Sequence, residues 1–177
     1  MFGLRKYNHR HNSERAEAPE FGRMINGQAL GRVSDFRYGI CRMSFNGCEV
    51  IAVHNALVYI NKPQPLAEIA FYMERFRVLF GFFGCNAYRL GRALEHYGAA
   101  FERYKTPDSA KAFIITFWNG IPLLSSIHTV FCECSENGIK VYNMYNSCPD
   151  VKLCKTVEEI AGKRKPIAVY AIQTPDT

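Results

Sequence analysis

No stretch of this 177-residue chain approaches the roughly 18 consecutive apolar residues that a membrane helix needs, so the sequence does not read as an integral membrane protein. The opening segment, MFGLRKYNHRHNSERAEAPE, has no apolar run of signal-peptide length, and a cytoplasmic location with reduced thiols is the expectation. Charge of one sign is nowhere concentrated. Residues 1 to 38 hold seven basic and four acidic side chains, the remainder fifteen and twelve, so the net +6 is spread along the chain. The one tight basic cluster is Lys163-Arg164-Lys165, in a turn-like context, and no nucleic-acid partner is expected. No internal repeat, low-complexity tract or phosphate-binding glycine spacing is visible. What is present is a 48% apolar composition, enough for one domain with a real core, and seven cysteines. The odd count turns attention to which thiol is reactive.

Residues 1–37 are expected to be an amino-terminal arm, flexible or extended, ahead of one domain over 38–177. Residues 48 to 60, CEVIAVHNALVYI, are apolar almost all round, as in a buried helix. A second helix is predicted from Leu66, with Ile69, Met73, Phe76 and Phe80 at helical spacing. A third runs from a cap at Asn86 to the stop at Gly98. Beyond Gly98 the pattern becomes β-like: a strand over 112–118, a hairpin built from 126–134 and 138–143, a short helix near TVEEIAG, and a last strand over 166–173. Helices first and an antiparallel sheet second make the fold class α+β.

Cys48 stands apart from the other thiols. Asn46 as N-cap and Glu49 three residues on match a capping box. That would set Cys48 at the start of a buried helix, where the dipole favours thiolate and lowers its pKa. A nucleophilic thiol needs a base. His54 lies six residues along the same helix, a rise of about 9 Å, and points elsewhere. His9 and His11 belong to the arm, and His96 suits a helix carboxyl end. His128, on a strand of the second half, is left as the candidate. A third group usually fixes the imidazole tautomer. Asn143, at the end of the return strand, is the candidate, with Asn146 in the following turn as the alternative. Cys132, Cys134, Cys148 and Cys154 lack the paired spacing of a zinc knuckle, so neither a metal nor a cofactor is expected.

The order Cys, His, Asn carries a family resemblance. Asn46-Gly47-Cys48-Glu49-Val50, with Ala56-Leu57 and Tyr59, resembles the nucleophile helix of papain-like cysteine peptidases, in particular those related to bacteriocin-processing, double-glycine leader peptidases. Asn119-Gly120-Ile121-Pro122-Leu123-Leu124 followed by His128-Thr129-Val130 resembles that family's Gly-x-Pro strand and catalytic His. Gly138 to Asn143 resembles the hairpin return that ends in its third catalytic residue. The resemblance covers residues 38 to 173. It implies a papain-like fold, a helical half with a central nucleophile helix packed on an antiparallel sheet. It also implies a thiol-dependent peptidase acting through a thioester on a peptide or protein substrate, with Cys48 as nucleophile, His128 as base and later acid, and Asn143 as orienter. Two features depart from the family. Arg42, Met43 and Ser44 occupy the stretch where its oxyanion Gln belongs, and Asn143 stands where Asp is usual. The other reading is a catalytically impaired member of the fold that binds a peptide or protein.

Overall fold

In a computed structural model of the chain, residues 2–15, 22–104, 110–121, 126–163 and 165–174 are described. Pro122, Leu123 and Leu124 of the resemblance motif, and Arg164 of the basic cluster, lie outside them. The helical half comprises α1 (Phe2–Ser13), a two-stranded hairpin β1 (Arg37–Tyr38) and β2 (Cys41–Arg42), α2 (Met43–Asn46), α3 (Cys48–Tyr59), α4 (Leu66–Met73) and α5 (Leu90–His96). The second half contributes β3 (Phe101–Tyr104), β4 (Ala112–Trp118), β5 (Ile127–Ser135), β6 (Gly138–Tyr142), β7 (Lys152–Cys154), α6 (Val157–Ala161) and β8 (Ala168–Ile172). The strands of the second half form one antiparallel sheet in the order β3-β8-β4-β5-β6-β7. This is the expected α+β arrangement, with α3 packed on the sheet.

Both faces of the sheet are covered, which explains why β4 reads AFIITFW without polar alternation. Ala112 and Ile114 join the core shared with α3, α4 and α5, while Phe113, Ile115 and Phe117 join a second core with Ile160 of α6. β8 divides likewise, Ala168, Tyr170 and Ile172 on the first side and Val169 on the second. α3 is buried from Cys48 through Leu57 on every side, as its composition requires.

Three local expectations are corrected. Residues Phe2–Ser13 are not flexible or extended but helical, and α1 is bolted to the domain by buried side chains. Asn8 Nδ2 donates to the Gly39 carbonyl at 2.7 Å and to Glu74 Oε1 at 2.6 Å. Asn12 pairs with both main-chain groups of Arg37, donating at 2.9 Å and accepting at 2.7 Å. These partners lie 25 to 66 residues away, beyond any local pattern.

The predicted second helix stops at Met73 instead of continuing through Phe80. Leu79 and Phe80 have φ of 45° and 60°, outside the helical region, because the chain turns here to bring Arg77 opposite Cys85. The capping box is also absent. Gly47 is the N-cap of α3, and the Asn46 amide instead donates to the carbonyls of Tyr38 and Gly81. Gly47 lies so close to Met43 that any Cβ would overlap its side chain, which lets α2 run directly into α3.

Candidate active site

Cys48 opens α3 and is one wall of a cleft of about 410 Å³. The cleft is also lined by Phe45 and Asn46 of α2, Glu49, the Phe82-Phe83-Gly84 turn, Ser126, Ile127 and Asn146. The thiol is itself buried, and Sγ donates to Glu49 Oε2 at 3.3 Å. The main-chain amide of Thr129 on β5 also bonds the sulfur.

The electrostatics reverse the expected depression of the thiol pKa. Burial and the neighbouring Glu49 carboxylate push Cys48 well above the ordinary thiol range, and the amides of Thr129 and Glu49 offset this only in part. A helix dipole offers a fraction of a unit charge, and the loss of solvation at the buried sulfur, added to the Glu49 carboxylate beside it, outweighs that. Glu49 is itself fully enclosed, and burial raises its carboxyl to about 7. At neutral pH the pair therefore holds a thiol beside a half-ionised acid.

His128 is the residue before Thr129, so α3 meets β5 next to it. Strand alternation places the imidazole with Val130 and Cys132 on the α6 side, where it meets Phe117 edge-on at 5.9 Å between centroids. Thr129, whose hydroxyl pairs with that of Thr116 at 2.9 Å, faces the α3 side. His128 Nε2 donates to the Asn143 main-chain carbonyl at 2.8 Å. A carbonyl only accepts, so Nε2 carries the proton and Nδ1 is left as the basic nitrogen. Burial lowers the imidazole pKa, opposed by the carbonyls of Asn143 and Met144. Among the described residues no hydrogen bond joins Cys48 Sγ to the imidazole.

Asn143 thus reaches His128 through its backbone rather than its side chain. The side-chain amide forms a closed pair with Gln28, its Oδ1 accepting from the Gln28 main-chain N–H and its Nδ2 donating to Gln28 Oε1, both at 3.0 Å. Asn143 has φ of 61°, a left-handed conformation that asparagine tolerates, and its own N–H is held by Asn26 Oδ1 at 2.8 Å. Asn146 lines the cleft and accepts from Ala29 through its carbonyl at 2.7 Å.

No protein-family model and no curated protein matches the sequence. Among solved structures, the chain is similar to a double-glycine motif protease from an AMS/PCAT transporter, determined in complex with the leader peptide. The identity is 17% over 72% of this chain and 84% of that one, with a TM-score of 0.49. It is also similar to the peptidase domain of Streptococcus ComA, a bifunctional ABC transporter involved in a quorum-sensing pathway. There the identity is 14% over 77% of this chain and 97% of that one, again with a TM-score of 0.49.

The remaining histidines have local roles. His54 Nε2 bonds the Arg23 carbonyl at 2.9 Å, His96 stacks on Tyr72 at 3.8 Å, and His9 pairs with Glu68 at 2.7 Å. All seven cysteines are free thiols. Among the described residues no three His, Cys, Asp or Glu side chains converge as metal ligands, and no helix is long and apolar enough to cross a membrane.

Sequence reasoning missed Glu49, which it treated only as a cap partner, and Gln28. A signal existed for Glu49: it is the one acid in a helix that is otherwise apolar from Cys48 to Val53. Nothing local marks Gln28, whose partner is 115 residues away.

Proposed function

We propose that the chain is a thiol-dependent peptidase acting on a peptide or protein. The observation behind this reading is the seating of Cys48 Sγ in an open cleft, at the start of a buried helix, against the amide next to His128. In this mechanism His128 Nδ1 takes the thiol proton as Sγ attacks the substrate carbonyl carbon. The Cys48 main-chain N–H is the proposed donor to the resulting oxyanion, because Arg42, Met43 and Ser44 replace the Gln expected from the resemblance. The imidazolium then protonates the leaving nitrogen, the C–N bond breaks, and a thioester remains on Cys48. His128 deprotonates a water, which attacks the thioester and restores the thiol. Asn143 orients the ring through its carbonyl, which fixes the tautomer the first step needs. Because the imidazole lies on the α6 side of β5, loss of cleavage in His128→Ala is the decisive test of its role as base.

The raised thiol pKa and the engagement of the Asn143 side chain with Gln28 favour a second reading, a peptide-binding module of the same shape. Turnover of a peptide library followed by mass spectrometry separates the two. The peptidase reading expects cleavage that falls at least about a thousandfold in both Cys48→Ala and His128→Ala, and a covalent adduct on Cys48 from a peptide aldehyde. Cleavage that persists in Cys48→Ala refutes it, and peptide capture without cleavage by the unsubstituted protein establishes the second.

A further inference from the structure

The Cys48 cleft is chemically unlike the rest of the surface. The chain carries a net charge of +6, yet among the described residues the only charged one lining the cleft is Glu49. Two of the lining residues also hold buried acceptors with no hydrogen-bond partner: Glu49 Oε1 and Asn46 Oδ1. Their residues are 1% and 5% exposed. Among the described residues, those lining the cleft hold no buried side-chain donor that lacks a partner. An unsatisfied buried acceptor is costly, so two of them with no matching donor describe a site that lacks the group it is built to receive.

The walls are aromatic. Phe45, Phe82 and Phe83 are each at least half exposed, and their rings pack in sequence at 5.5 Å and 5.4 Å between centroids. Exposed apolar rings have no reason to be held at a cleft mouth unless something covers them. Aromatic faces leading to a carboxylate suit an organic cation, which the rings attract through their quadrupoles and the acceptors fix by hydrogen bonds. Gly84 lies against the carboxylate, where a Cβ would come within 2.8 Å of Glu49 Oε2 and 2.9 Å of Oε1.

We infer that the cleft selects peptides carrying a cationic side chain, lysine or arginine, whose head group passes between Phe45, Phe82 and Phe83 and donates to Glu49 and Asn46. This rests on the peptidase reading only for placing the cation beside the scissile bond; the binding itself does not require turnover. An uncharged apolar side chain would fill the aromatic walls and leave both acceptors unpaired.

The test uses the full chain as Cys48→Ser, which keeps a donor to Glu49 but blocks thiol chemistry. Fluorescence anisotropy is measured with three peptides identical except for one lysine, norleucine or glutamate. The expected result is binding of the lysine peptide about tenfold tighter than norleucine, with glutamate weakest, and collapse of that ratio to near one in the added Glu49→Gln variant. Equal binding of lysine and norleucine overturns the inference, as does a ratio that survives Glu49→Gln. Should Glu49→Gln fail to fold by circular dichroism, the three-peptide comparison in Cys48→Ser decides alone. Cation selectivity without cleavage by the unsubstituted protein would sink the peptidase reading and leave this one standing.

Discussion

Replacing Glu49 with glutamine should make folding stability less sensitive to pH, and the size of the effect follows from the burial of that one carboxyl. Its ordinary value of 4.5 is raised to about 7 by burial, so the folded protein holds the proton more tightly than the unfolded chain. That difference favours folding in acid. The contribution is complete below about pH 4.5 and is lost as the pH rises through about 7, where the folded state must either ionise an enclosed acid or keep its proton against the solution. A shift of this size corresponds to about 3 kcal/mol across the window, at about 1.4 kcal/mol per pH unit. Glutamine has the same shape and fits under Gly84, but it does not titrate. The stability of Glu49→Gln relative to the unsubstituted protein should therefore improve by about 3 kcal/mol between about pH 4.5 and pH 8. Urea unfolding followed by far-UV circular dichroism at intervals across that range measures it. Other groups titrate in both proteins and cancel in the difference. A difference that stays flat within about 0.5 kcal/mol would refute the enclosed-acid account, and with it the Glu49 share of the raised Cys48 pKa.

Two further substitutions probe how the helical half is held. Gly39→Ala should cost at least about 2 kcal/mol in unfolding free energy, because φ there is +59° and a Cβ would overlap the Phe80 carbonyl; a change in urea midpoint too small to measure would show that the two turns can separate freely. Asn12→Ala removes both bonds to Arg37 and leaves part-buried main-chain groups unpaired, so a loss of about 1 to 2 kcal/mol is expected, together with faster amide exchange in α1; unchanged exchange would mean the helix is held by packing alone.

The sequence by itself determined the elements whose signal is local and dense. The apolar ring of residues from Cys48 to Leu57, the β-type run Ala112–Trp118 and the hairpin closed by Ser135-Glu136-Asn137-Gly138 carry their periodicity in consecutive residues, and each forms where it was expected. Of the site residues expected from the sequence, Cys48 opens α3, while Asn143 meets His128 only through its main-chain carbonyl. The local pattern erred where distant contacts outweigh local preference. The polar α1 looked unstructured because its anchors, Gly39, Arg37 and Glu74, lie far along the chain. Asn46 looked like a helix cap because that is its usual use, yet two carbonyls brought in by the Tyr38 and Gly81 turns take its amide instead.

Tertiary structure alone decided the chemistry around the thiol. Whether a cysteine at a helix start is acidic depends on what encloses it, and here burial together with Glu49 outweighs the helix amides. Strand alternation and the left-handed turn at Asn143 settle which atom of that residue meets His128, a choice made by backbone direction and not by residue type. Residue spacing can place groups on the same element, but the solvent exclusion that sets their charge, and the partners that satisfy or leave open their hydrogen bonds, exist only once the two halves are packed together.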